Sequence, residues 1–212
     1  MRVDRAREAA LDALAACRRN GAWIDGALKQ VLKRDGLSGR DAAFASRIAY
    51  GVMQNRIYLD RCLARCLTQR PEKLEPLLLD ILRVGAYQIL FMDKVPVNAA
   101  VNEAVEMAKV HKLSRAAGLV NAVLRNVDRR RGEPLAFADE LEALSVQTSH
   151  PRALVERMVG LLGAEEAEAF LCADNEPVPT TIQTNTLKTT AKQLRASLED
   201  EGVTVEPHPW LP

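Results

Sequence analysis

The sequence predicts a mainly α-helical protein: a bundle of six or seven helices over residues 1–131, followed by a shorter helical and α+β segment. Three observations lead there. Apolar residues recur at helical spacing through the first part of the chain. Aromatics are only 4% of the residues, so a core must be built from Leu, Val, Ala and Ile, which favours helices over a sandwich. After Pro177 the pattern changes to Thr-rich, β-forming sequence.

Arg2 to Arg19 reads as the first helix, with Val3, Ala6, Ala10, Leu14 and Cys17 as its apolar stripe and Gly21 as its end. Ile24 to Lys33 reads as the second, and the turn cluster Asp35-Gly36-Leu37-Ser38-Gly39 follows. Asp41 opens a long periodic stretch through Ala45, Ile48, Val52, Leu59 and Leu63 to Thr68, within which Gly51 marks close packing or a bend. Arg70-Pro71 breaks the pattern. Pro76 to Met92 is the most apolar segment and is expected to be the central helix.

Two further helices are expected within Val95–Asn126, capped by Asn98 and Ser114, with stripes Val101, Ala104, Val105, Ala108 and Leu119, Val120, Val123, Leu124, Val127. Asn102, Glu103, Asn121 and Asn126 interrupt or flank these stripes and read as hydrogen-bonded residues that fix helix register. The expected core includes Leu14, Leu28, Ile48, Val52, Leu78, Ile81, Ile89, Val101, Val105, Val120 and Leu124.

Residues 132–148 read as a linker, although Glu140 to Val146 within it is helical in pattern. Pro151 to Leu162 and Ala164 to Ala173 read as helices. Pro177-Val178-Pro179 punctuates, and Thr180–Thr186, a helix over Ala191–Asp200, and Val203-Thr204-Val205 then suggest a β-α-β unit. That unit is expected to belong to a longer protein, because two strands alone have few ways to bury a face.

Charge is split along the chain. Residues 1–132 carry 24 Lys and Arg against 14 Asp and Glu, a net of +10, whereas residues 133–212 carry a net of −9. Such asymmetry suggests two modules, the first with affinity for polyanions, or two halves that attract each other. Asp80 and Arg83 break the best apolar run, so no membrane-spanning segment is expected. Met1-Arg2-Val3-Asp4 does not open a signal peptide, and a cytoplasmic location is the expectation. Cys62 and Cys66 lie one helical turn apart, and with Cys17, Cys172 and three scattered histidines they make no metal-ligand pattern. Phosphate-binding glycine loops, a zincin motif and a serine nucleophile elbow are absent. From its residues alone the chain is a helical binding module leading into an acidic α+β segment.

The stretch Val95-Pro-Val-Asn-Ala-Ala-Val-Asn-Glu-Ala-Val-Glu-Met-Ala-Lys109, with Gly118-Leu-Val-Asn-Ala-Val-Leu-Arg-Asn126, resembles the NusB-like RNA-binding domain. The resemblance is to the version at the front of bacterial ribosomal RNA cytosine-5 methyltransferases, the Sun or RsmB group. Asp41–Ala45, Tyr50-Gly51-Val52, Leu59-Asp60 and Ile81–Leu90 extend it across residues 1–131. Ser149-His150-Pro151, Asn175-x-Pro177, Asn185–Thr190 and Glu201-Gly202-Val203 resemble the region that leads into the catalytic part, assigning 149–212 to the start of that region.

The resemblance implies an RNA-binding, substrate-targeting N-terminal part of a small-subunit ribosomal RNA (cytosine-5) methyltransferase. The alternative is a NusB-type antitermination module that docks a ribosomal protein. The implied partners are ribosomal RNA and a ribosomal protein, and the implied cofactor of the longer protein is S-adenosylmethionine. Family cysteines act from Pro-Cys and Thr-Cys motifs, but here the residues preceding Cys17, Cys62, Cys66 and Cys172 are Ala16, Arg61, Arg65 and Leu171. The chain is therefore expected to be catalytically inactive and to hold no cofactor. In that family the arginine-rich start of the first helix contacts RNA, which points to Arg2, Arg5, Arg18 and Arg19. Arg129, Arg130 and Arg131 are added as a second basic group, one that equally suits a helix C-terminus.

Overall fold

The computed structural model describes residues 3–177 and 180–210. Arg2 and the Val178-Pro179 step of the punctuation lie outside the described residues. The first compact unit runs to Asn175 and a second starts at Glu176.

In the first unit, α1 (Arg5–Asn20), α2 (Ile24–Asp35), α3 (Gly39–Gln54), α4 (Arg56–Ala64), α5 (Pro76–Phe91), α6 (Val97–Val110) and α7 (Ala117–Arg129) form the bundle. The central helix is α5, as its sequence predicts: Leu78, Ile81, Leu82, Val84, Gly85, Ala86 and Ile89 are buried among α1, α3, α4, α6 and α7. One apolar cluster runs from Ala6 to Val127. Of the expected core residues all are buried except Val105, which packs half-buried against the cluster.

Small residues set two helix approaches. A Cβ on Gly51 would fall inside the Tyr87 ring, so α3 and α5 meet there at a separation only glycine allows. A Cβ on Gly85 would lie 2.5 Å from Leu124 Cδ1, which fixes the α5–α7 approach in the same way.

Three local expectations are corrected. The long stretch from Asp41 is two helices, not one. Asn55 separates them because its side-chain amide donates to Gly51 O at 2.9 Å, satisfying a helix-terminal carbonyl locally. Asn98 is not a cap: Pro96 occupies that position and Asn98 lies exposed inside α6. Ser114 instead begins a single 3-10 turn, Ser114–Ala116. Of the polar residues in the stripes, Glu103 accepts from the Asp4 N–H at 2.9 Å and Asn121 from Arg125 at 3.1 Å, while Asn102 is exposed.

Residues 132–148 are ordered against the bundle and contain α8 (Glu140–Gln147). Arg65 pairs with Glu133 at 2.7 Å, Arg61 pairs with Glu142 at 3.4 Å, and Arg61 also donates to Ala136 O. α9 (Arg152–Leu162) and α10 (Ala164–Asp174) follow and bury Val155, Ala167 and Leu171. The Ile57 N–H donates to Ser149 Oγ at 3.1 Å, and Gln54 donates to Asn175 O at 3.0 Å. The first compact unit continues through these residues to Asn175.

The second unit contains α11 (Ala191–Asp200), closed by a capping box between Thr190 and Gln193. The flanking strands expected over Thr180–Thr186 and Val203–Val205 do not form among the described residues, which are irregular there and culminate in a turn at 186–188. β-propensity reports fit to a pleated surface, and here no ladder partner supplies one.

Candidate nucleic-acid interface

Four helix ends converge where α1 begins. Asp4 caps α1, accepting from the Arg7 N–H at 3.0 Å. Arg7 turns inward: its Nε donates to Gln88 Oε1 at 2.7 Å, and its guanidinium lies 4.9 Å from the Phe44 ring centre at the start of α3. Gln88 is fully buried and donates on to Val84 O at 2.9 Å. Arg7 is thus an internal tie. Arg5, two positions earlier, is exposed and donates to Asp35 O at the C-terminal end of α2, where a cation suits the helix dipole.

Glu8 pairs with His111 Nε2 at the end of α6. That contact brings the turn Lys112–Arg115 alongside the start of α1. Lys112 and Arg115 are both exposed. Lys112 adopts a left-handed backbone, φ 63°, in the helix-ending turn where the Leu113 N–H donates to Ala108 O at 2.8 Å. Glycine usually occupies such a position. Lys112 and Arg115 are exposed cations beside the start of α1 that sequence reasoning did not single out. The signal was there in Lys109-Val-His-Lys-Leu-Ser-Arg115, a cation-rich turn between two apolar stripes.

The expected arginines do not form one patch. Arg18 and Arg19 lie at the other end of α1, about 20 Å from Arg5 by helical rise. Arg18 Nε pairs with Asp80 at 2.9 Å, and Asp80 is buried. Asp80 also holds Arg83 at 3.1 Å, and Arg83 grips Asp60 through two nitrogens at 2.8 Å. Burial acts to lower the Arg83 pKa, but hydrogen bonds and charge from Asp60 and Asp80 outweigh it and hold the guanidinium above its ordinary value. Arg18 is therefore tied to buried Asp80 while itself remaining exposed. Arg19 is exposed, with its Nε 3.3 Å from Ala15 O. Arg129 and Arg130 are exposed at the end of α7, and Arg131 pairs with Asp93 at 2.8 Å beyond the end of α5.

Burial pushes the thiols of Cys17, Cys62 and Cys66 above their ordinary pKa, which makes them poor nucleophiles. Among the described residues the positive-φ glycines sit in turns and at helix ends, such as Gly21 and Gly36, and none follows a strand. Among the described residues no helix is long and apolar enough to cross a membrane.

Comparison with known proteins matches residues 4–129 to the NusB family, and residues 150–212 to the ferredoxin-like domain of RsmF/B-like methyltransferases. A probable ribosomal RNA small subunit methyltransferase B of Bacillus subtilis (strain 168) is 34% identical over 208 residues, 97% of this chain and 46% of that protein. The chain thus spans less than half the length of this relative. Among solved structures, the crystal structure of PH0851 superposes with a TM-score of 0.73 at 21% identity, covering 100% of this chain and 48% of that one. The crystal structure of antitermination factors NusB and NusE in complex with dsRNA superposes with a TM-score of 0.55 at 19% identity, covering 59% of this chain and 95% of that one. At these identities the likeness is one of fold.

Proposed function

This chain belongs to the NusB family, and from that premise we propose that it is the RNA-binding, substrate-targeting N-terminal part of an S-adenosylmethionine-dependent small-subunit ribosomal RNA (cytosine-5) methyltransferase. The observation that carries this reading is the order of the two family matches: a NusB-family stretch over 4–129 is followed in the same chain by an RsmF/B-type ferredoxin-like stretch over 150–212. In this reading the NusB-like residues 1–131 contact ribosomal RNA in the cytoplasm, and 149–212 lead into a catalytic domain outside this sequence. The interface is built on the convergent end of the bundle, from Arg5, Lys112 and Arg115. Arg129 and Arg130 add exposed charge at the end of α7, Arg19 lies apart at the far end of α1, and Arg2, which is outside the described residues, is proposed with them. Phosphate contacts supply most of the affinity and base contacts the choice of site.

Two measurements test the reading. Filter binding of a small-subunit ribosomal RNA fragment at low salt gives a saturable complex, and calorimetry with S-adenosylmethionine gives no heat of binding. Stoichiometric cofactor binding would overturn the division of labour. Absence of any RNA complex, together with capture of a ribosomal protein, would favour the antitermination-type docking module instead.

A further inference from the structure

Trp23 stands in the loop between α1 and α2 with 86% of its surface exposed. Its backbone is fixed although its side chain is not packed. Gly21 turns the chain at φ 63°, the Ala27 N–H donates to Trp23 O at 3.0 Å, and the neighbouring Ile24 packs against the core. Exposing an indole in this way forfeits the burial that a residue of its size could gain. The loop around it is small and polar: Asn20, Gly21 and Ala22 are all exposed. Arg18 and Arg19 occupy the last turn of α1 directly before it, and Arg18 is already held by Asp80. The nearby carboxylate Asp25 accepts from Tyr50 Oη at 2.6 Å.

We propose that Trp23 is a stacking platform for one unpaired RNA base, with Arg19 taking an adjoining phosphate. The assignment rests on the RNA-binding reading above and adds a second contact point at the far end of α1. RNA fits this spot better than a protein does. A protein hot spot needs a contiguous apolar patch around its aromatic anchor, whereas the chain on either side of Trp23 exposes Arg19, Asn20, Gly21, Ala22 and Asp25, and the exposed ring of Tyr50 turns its hydroxyl to Asp25. A single base needs only one aromatic face and a cation for its phosphate.

The test uses the full chain carrying Trp210→Phe, so that Trp23 is the remaining tryptophan of the two in the sequence. The probes are a short mixed-sequence single-stranded RNA, the same RNA annealed to its complement, and a purified ribosomal protein. Single-stranded RNA quenches Trp23 fluorescence saturably, and the duplex quenches it less. Trp23→Ala weakens single-strand binding roughly five-fold to 150-fold while leaving the salt slope unchanged. Trp23→Phe restores most of the affinity, whereas Arg19→Gln lowers the slope. If the RNA binds but Trp23 emission and the Trp23→Ala affinity are unaltered, the stacking site is refuted while the binding reading stands. If no RNA binds at low salt, both fall. Quenching by the ribosomal protein alone gives the site to a protein partner and overturns the proposal.

Discussion

Neighbouring arginines on α1 take opposite roles, and the difference is set by what faces them. Arg5 ends on the α2 terminus in solvent, Arg7 is drawn inward to buried Gln88, and Arg18 neutralises buried Asp80. Sequence spacing places Arg5 and Arg18 off the apolar stripe but cannot reveal a long-range acidic partner such as Asp80, 62 positions away. Charge reversal at Arg18 sets a second carboxylate beside one that is already desolvated. Arg18→Glu should therefore lower stability by about 1–3 kcal/mol in urea unfolding, whereas Arg5→Glu should leave the midpoint unchanged. Arg18 is thus unsuitable for isolating an RNA contact. The thiols separate in the same manner. Burial raises Cys17, Cys62 and Cys66, so at mildly alkaline pH they hold less thiolate than a free thiol, while Cys172 is exposed. Alkylation followed by mass spectrometry should label Cys172 first, and the three others should accelerate only as the pH climbs toward their raised values.

Helix positions were legible wherever apolar periodicity ran uninterrupted, and helix ends were not. The stripes of α1, α5, α6 and α7 become largely buried faces because each spans several turns, although Leu119 at the start of α7 is exposed and Val105 of α6 is half-buried. Asn55 was unreadable as a break: periodicity continues across it, and the hydrogen bond to Gly51 O exists only in the folded backbone. Pro96 preceded the first helical residue more tightly than the Asn98 cap reading assumed. Gly51, by contrast, was legible as a point of close packing, and Tyr87 is what packs there. Gly51→Ala should cost about 1–3 kcal/mol through the Tyr87 overlap, despite the better helix propensity of alanine. Leu78→Ala and Val120→Ala remove buried side chains from α5 and α7, and each should cost about 2–5 kcal/mol, read from urea midpoints. An unchanged midpoint in any of the three would contradict the packing of α5 at the bundle centre.

At the scale of the molecule, the charge split along the sequence maps onto a cationic bundle and an acidic extension, but the extension does not simply hang from a linker. Arg61 and Arg65 strap residues 133–142 to α4, and Ser149 and Asn175 bind the corner where α3 meets α4. Such polar straps leave no periodic trace in residues 132–148. The absent strands have a different cause: β-forming sequence after Pro177 needs ladder partners that periodicity cannot supply. Every residue of the bundle's apolar cluster lies at or before Val127, so residues 1–132 should fold alone. Freed of a segment with net charge −9, they should bind RNA more tightly than the full chain. The most direct test of the account is filter binding of small-subunit ribosomal RNA to the full chain over a salt series, comparing the native sequence with Arg5→Gln, Lys112→Gln and Arg115→Gln combined. The account predicts weaker binding, with the slope of log K against log salt reduced by about 0.7 to 0.9 for each phosphate contact removed. An unchanged slope, or no binding by the native chain at low salt, would contradict it.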